Sequence, residues 1–398
     1  MRSKIWLIAV LAGLVFALPA SAQEPRQVWA FYMGWYTHES WGDGRLLDRP
    51  AQPYDSRDGG AIGRQIDEAR SAGIDAFIMS WYGPAGDNLT HQVFNSLLDQ
   101  SAARGFRAAA ALDMHESAFN ANVGDVTNSL AYLINDRANH PGYLRYNGKP
   151  VIYFWNQGRF SVADWRNIRN QVDPNRNTIW VAEGTNTAYI GVFDGLYLFN
   201  TAWAANPAAV AQQWMRRVNQ AGGTFYTPTV LPGWDEQALA AGRSNPTSPQ
   251  DRAGGQFLTR SWNGAVSSGA NVILIVSWNE YFENSHIEPS QAFGTAALDI
   301  LRPLIAAWES GAPAPAAGGA PAGSPTGVTY AINSNLRLRS APVNGDVIAT
   351  VPYNTVLDVV GRTADNNWVQ VNYNGQSGWM SAGYGTFNGD LNAAPVTG

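Results

Sequence analysis

The segment Ser277-Trp278-Asn279-Glu280-Tyr281-Phe282-Glu283-Asn284-Ser285-His286-Ile287-Glu288-Pro289 gathers carboxylates and aromatic rings directly after an apolar run, Val272–Trp278. Glu280 and Glu283 stand three residues apart where a buried strand would end. Hydrolysis of a glycoside needs one group to protonate the departing oxygen and another to supply or uncover a nucleophile. One carboxyl must keep its proton near neutral pH and the other must lose it. Burial beside Trp278, Tyr281 and Phe282 could arrange that. By spacing alone the pair reads equally as a solvated turn or a calcium-binding loop, because Glu-x-x-Glu is common on exposed helices. The strand before it is what raises its weight.

The elements that would position such a pair alternate along the chain. Apolar β-rich runs occupy Val28–Tyr36, Ile74–Tyr82, Phe106–Asp113, Pro150–Trp155, Thr178–Glu183, Phe193–Asn200, Thr224–Leu231 and Val272–Trp278. Helical patterns lie between most of them, at Ile62–Ala72, Gln92–Arg104, Val123–Asn139, Ala208–Ala221 and Ala253–Ser268, with a last helix at Ala296–Trp308. This order predicts an α/β fold, a (β/α)8 TIM barrel. The fifth crossover is the short one, with about nine residues between strands five and six. A doubly wound open sheet is the alternative, but no Gly-rich phosphate loop follows any strand.

Barrel active sites sit at the carboxyl ends of the strands. Here those ends carry Tyr36, Trp81, Tyr82, Asp113, His115, Glu116, Trp155, Glu183, Trp234, Asp235 and Asn279. Aromatic faces pack on sugar C–H surfaces and carboxylates take hydroxyls, so these residues are the candidate substrate contacts. Each also has a plainer reading. Asp113, His115 and Glu116 could satisfy one another at a loop, Trp81, Tyr82, Trp234 and Asp235 could be packing residues, and Glu183 could pair with an arginine. His286 and Glu288 would orient the Glu283 loop or reach substrate. With only 5 histidines and no HExxH spacing, no metal site and no cofactor are expected.

Composition agrees with a neutral polar ligand. The 398 residues include 16 Trp, 16 Tyr and 15 Phe, whereas charged residues are 14%, well below the roughly 25% of an average soluble domain. The net charge of −5 argues against nucleic acid as a partner. Cysteine is absent, which excludes disulfides, thiolate metal sites and a Cys nucleophile. Arg2 and Lys4, an apolar run over Ile5–Leu18 and Pro19-Ala20-Ser21-Ala22 have the form of a secretory signal, residues 1–22, cleaved after Ala22. The run of about 14 residues is too short for a membrane anchor, which takes roughly 20. A secreted, periplasmic or cell-surface protein with no transmembrane segment in its mature chain is therefore expected.

Residues 311–327, GAPAPAAGGAPAGSPTG, form a Gly/Ala/Pro linker. It separates a catalytic-sized body, 23–310, from a tail, 328–398. In the tail, Leu336–Ser340, Val347–Val351, Thr355–Gly361, Trp368–Tyr373 and Gly378–Ser381 read as short strands between Asn-Gly and Asp-Asn turns. A small all-β barrel is expected. The strings LRLRSAP and DNNWVQVNYNGQSGWMSAGY resemble the bacterial SH3-type domain, which implies a module that binds cell-wall peptides or glycans. Trp368, Tyr373 and Trp379 would form either its binding face or its core.

The body resembles glycoside hydrolase family 99, the endo-α-mannosidase group. WNEYFENSHIEPS is similar to that family's Trp-Asn-Glu-x-x-Glu-x-x-x-Ile-Glu-Pro signature. VWAFYMGWY, GIDAFIMSWYGP, HPGYLRYNGKPVIYFW and LPGWDEQ resemble its first, second, fourth and seventh strands. The resemblance implies a retaining, endo-acting hydrolase of α-mannosides that proceeds through a 1,2-anhydro sugar. Glu280 would be the base that deprotonates the sugar 2-hydroxyl, and Glu283 the acid that protonates the leaving group and later activates water. The chain departs from the pattern at Asn284-Ser285, where Gly-Thr is usual, and at Phe282, which replaces a smaller or more polar residue. Part of the signature is shared with fungal α-1,3-glucanases, so α-mannan-like and α-glucan-like polymers are both expected substrates. A non-catalytic glycan- or wall-binding protein on a barrel scaffold is the other reading.

Overall fold

The computed structural model describes residues 26–114, 120–204, 206–242, 246–311, 327–373 and 376–397. The expected signal segment, residues 312–326 of the linker, and the candidates His115 and Glu116 lie outside the described residues.

Nine parallel strands form a nearly closed barrel. They are β1 (Gln27–Tyr32), β2 (Ala76–Trp81), β3 (Arg107–Asp113), β4 (Lys149–Trp155), β5 (Ile179–Glu183), β6 (Gly195–Tyr197), β7 (Phe225–Thr227), β8 (Thr229–Val230) and β9 (Val272–Ile275). The hydrogen-bonded order is β7-β6-β5-β4-β3-β2-β1-β9-β8. Strands β7 and β8 are two halves of one barrel position, split at Pro228, which has no N–H to give to a ladder. Its carbonyl still accepts from Leu274 N at 3.0 Å, so the seventh position joins β6 on one side and β9 on the other. The eight expected strand positions are therefore all present.

The helices are α1 (Gly59–Ser71), α2 (Leu89–Ala103), α3 (Val123–Asn135), α4 (Val162–Val172), α5 (Pro207–Gln220), α6 (Gln256–Ser267) and α7 (Ala296–Ser310). Side chains of Asp58, Asn88, Asn122, Ser161 and Asn206 accept from the first free N–H groups of α1 to α5, fixing where each begins. No helix follows β5; a single 3₁₀ turn, Thr187–Tyr189, makes the short fifth crossover. Among the described residues, no helix is long and apolar enough to cross a membrane.

Strand β1 pairs with β2 and β9, so contacts from it to distant strands must pass through the barrel interior. Trp29 touches Tyr153 of β4 and Phe225 of β7, while Phe31 touches Tyr153 and Tyr197 of β6. Large rings thus fill the lower barrel, below the space at its carboxyl end.

The tail is a separate antiparallel sheet of β10 (Thr329–Ile332), β11 (Leu336–Arg339), β12 (Val347–Val351), β13 (Val356–Arg362), β14 (Trp368–Tyr373), β15 (Gln376–Ser381) and β16 (Gly385–Asn388), in the order β12-β11-β15-β14-β13-β10-β16. Strands β10 and β16, additional to the five strands expected in the tail, pair with each other at the sheet edge. Trp379 is buried, and Trp368 and Tyr373 are half-buried. The freely exposed tail aromatics are instead Tyr353 and Tyr384.

Candidate active site

Glu280 and Glu283 sit on the turn that follows β9. Both line a cavity of about 730 Å³ at the carboxyl mouth of the barrel, and each is less than a tenth exposed. Phe31 and Met33 line it along β1 and beyond. Trp35 and Tyr82 face one another as near-parallel rings 6.3 Å apart, and Trp155, Phe199 and Trp234 form a second aromatic run. Asp113 lines the cavity too, with its Oδ2 accepting from Ser80 Oγ at 2.8 Å. Aromatic faces and carboxylates around a single space suit a pyranose, which has apolar faces and a polar equator.

The turn is held from behind. Glu280 N donates to Ser277 Oγ at 2.7 Å, and Phe282 N donates to Glu280 Oε1 at 3.0 Å. Tyr36, fully buried, donates from its hydroxyl to the same Oε1 at 3.3 Å and accepts from Tyr281 N at 3.1 Å. Burial, with the Glu280 carboxylate second, pushes the Tyr36 phenol well above its ordinary range, so it remains a donor. Asn279 ties the turn to β1: Met33 N donates to its Oδ1 at 2.7 Å, and its amide donates to Met33 O and to the Tyr54 hydroxyl.

Farther back lies a buried polar layer. Glu288 accepts from Gln65 Nε2 at 2.7 Å, Tyr281 OH at 3.0 Å and Tyr54 OH at 3.2 Å. Desolvation pushes its carboxyl up to about 7. His286 stacks on Tyr281 at 4.2 Å and meets Asp48 Oδ2 at 3.0 Å; burial lowers it to about 4, which leaves the ring neutral.

The structure sorts the sequence candidates. Glu280, Glu283, Tyr82, Asp113, Trp155 and Trp234 share the cavity. Tyr36, Asn279, His286 and Glu288 stand behind it, where they position the turn. Trp81 faces the other way. Ser80 and Tyr82 line the cavity, so the alternation of a strand sends Trp81 outward, against Phe94 and Tyr132 with Nε1 toward His91. Glu183 is not among the lining residues either; Phe199 N donates to its carboxylate, and burial pushes that group up to about 7. It pairs with no arginine among the described residues. Asp235 caps the Gln237 N–H and gives its own N–H to Glu283 O, while its neighbour Glu236 turns into the cavity. Glu236 lies inside LPGWDEQ but is not among the residues expected from the strand ends. Trp234 Nε1 at 3.1 Å and Thr247 N at 2.7 Å hold its Oε1. Among the described residues, no group of three or more His, Asp or Glu side chains is arranged to hold a metal ion.

The two departures from the family signature have local explanations. Asn284 has φ +50°, in the left-handed region that glycine enters most easily and asparagine next. Ser285 keeps a hydroxyl that meets Ser277 Oγ at 3.2 Å, so a serine supplies what a threonine would. Phe282 carries the Arg45 guanidinium over its ring at 5.4 Å, a cation–π contact. Accordingly, Asn284→Gly should unfold within a few tenths of a kcal/mol of the parent, whereas Asn284→Ala should lose roughly 1 kcal/mol. Thermal unfolding checks this, and an alanine variant as stable as the parent would refute the backbone argument.

Comparison with known proteins places this geometry. Residues 50–302 match Glycosyl hydrolase family 99, and residues 334–386 match the bacterial SH3 domain. The glycoprotein endo-alpha-1,2-mannosidase of Xenopus laevis is 23% identical over 270 residues, 62% of this chain and 59% of that protein. A human glycoprotein endo-alpha-1,2-mannosidase-like protein is 24% identical over 258 residues, 59% of this chain and 55% of its own length. The chain thus spans under two thirds of the length of these curated relatives. A GH99 endo-alpha-mannosidase structure from Bacteroides thetaiotaomicron superimposes with a TM-score of 0.60 at 20% identity, covering 72% of this chain and 97% of that one, a likeness of fold. With the family matched over most of the barrel and its paired glutamates lining one cavity, the chain belongs to glycoside hydrolase family 99.

Proposed function

We propose that this chain is an endo-acting glycoside hydrolase that cleaves α-linked mannan outside the cell. The observation that carries the reading is the placement of Glu280 and Glu283 in one aromatic-walled cavity at the barrel mouth. The Glu280 carboxylate takes the proton of the 2-hydroxyl. The resulting oxygen attacks the anomeric carbon of its own ring while the bond to the leaving oxygen breaks, and Glu283 gives that oxygen its proton. The product of this step is a 1,2-anhydro sugar. The Glu283 carboxylate then takes a proton from water, the water oxygen attacks the anomeric carbon as the C1–O2 bond of the anhydro ring breaks, and Glu280 returns its proton to the released O2. Two inversions give net retention, and every proton borrowed is returned.

Tyr36 contributes by fixing the orientation of the Glu280 carboxylate so that little rearrangement is needed during reaction. A signal segment at residues 1–22 would deliver the protein to its polymer, and the tail would hold it there as a tethered second site.

The test is incubation of the protein with purified α-mannans and α-glucans, following product size and the anomeric proton by NMR. The expected result is a rapid fall in mannan size with products released in the α configuration. Preferential cleavage of α-glucan would move the substrate assignment to glucans. Tight binding with no new reducing ends from either polymer would make the protein a glycan-binding scaffold.

A further inference from the structure

Trp203 is 58% exposed, although an indole is among the costliest side chains to leave in water. It lies on the segment following β6, the strand whose continuation brings Phe199 and Asn200 into the cavity wall. The ring is not loose. Its Nε1 donates to Asn200 O at 3.0 Å, which fixes one edge of the indole to a cavity residue.

Asn200 also organises its surroundings. Its amide donates to Thr247 Oγ1 at 2.9 Å, and its Oδ1 accepts from Ala202 N at 2.8 Å. Thr247, itself in the cavity wall, gives its N–H to Glu236. One asparagine therefore couples the exposed indole, the cavity rim and the loop that carries Glu236. An aromatic plate anchored by its polar edge and more than half open to water is preorganised for a ligand with an apolar face.

We propose that Trp203 is a distal sugar subsite, a platform on which a pyranose unit of the polymer stacks just outside the cavity that holds the scissile bond. The occupant follows from continuity: the ring is joined through Asn200 to a space already suited to sugar, and a polymer threaded through that space must leave it across the rim. The stacked unit lies away from the reacting bond, so it binds equally in the ground and transition states. Losing it raises KM and leaves kcat alone.

This inference rests on the proposed glycan hydrolysis, and the test separates the two. Trp203→Ala and Trp203→Phe are prepared beside the parent, and kinetics are compared on α-mannan and on a short α-mannoside that fits within the cavity. The expected result is a rise in KM of about tenfold for polymer in the alanine variant, smaller in the phenylalanine variant, with kcat and all short-substrate constants unchanged. In parallel, polymer binding is read by affinity electrophoresis on Glu283→Gln with and without Trp203→Ala, using α-mannan and α-glucan gels. Loss of retardation on substituting Trp203 supports the platform whichever polymer binds, even if mannan is the wrong substrate. Unchanged retardation and unchanged polymer KM would overturn it, as would an equal loss on polymer and short substrate.

Discussion

Glu280→Gln and Glu283→Gln should each lower kcat/KM on α-mannan by about a thousandfold or more, the scale of removing a positioned acid or base. The amide keeps the shape and cannot exchange the proton. Phe282 N and Tyr36 OH, which hold Glu280 Oε1, can still donate to an amide oxygen, so folding should be retained. The two variants should then part company on an aryl α-mannobioside with a good leaving group. A phenolate that departs without protonation no longer needs Glu283 in the first step, so Glu283→Gln should release a burst of phenol. Glu280→Gln should not, because O2 still has to be deprotonated. Stopped-flow absorbance reads both. If either variant works near the parental rate, the assigned roles fail; if both give equal bursts, the division of labour fails.

The second large effect concerns Glu288. Burial raises its folded-state carboxyl to about 7, against an ordinary value of 4.5. The folded state therefore holds a proton that the unfolded chain has lost between those values. Stability from this group is complete below pH 4.5, declines as pH rises from 4.5 to 7, and stays low above 7. The difference is on the order of 3 kcal/mol. Glu183 is raised to about 7 and Asp75 to about 6, each chiefly by burial, so they tilt stability the same way. The contribution of Glu288 must be read as a difference between proteins. Glu288→Gln stays neutral at every pH and should remove about 3 kcal/mol from the gap in unfolding free energy between pH 4.5 and pH 8. Denaturant unfolding of parent and variant at both pH values measures it. Identical gaps would mean that the carboxyl ionises in place, with Gln65, Tyr54 and Tyr281 compensating in full.

Much of the site was legible because chemistry and strand order are written locally. The carboxylates of the turn after β9 follow an apolar run with the length and β-branched content of a strand. Tyr82, Asp113, Trp155 and Trp234 were reached by the same rule. Trp81 and Asp235 show where the rule stops. Each lies one residue from a cavity residue, Ser80 or Tyr82 in one case and Glu236 in the other. Trp203 escaped notice for a related reason: it lies beyond the strand end, and only a hydrogen bond to Asn200 O brings it to the rim.

By itself the sequence determined the alternation of strands and helices in the barrel, the absence of any thiol chemistry, and the residue types available at the barrel mouth. The tertiary structure alone decided which of two adjacent residues faces inward, how Pro228 splits the seventh strand position, and that Trp379 is buried while Tyr353 and Tyr384 stay in water. The reason is the phase of the strands. A strand such as β2, AFIMSW, is buried along its whole length, so it lacks the polar–apolar alternation from which its inward face could be read. That face is set by the register with which neighbouring strands close the barrel.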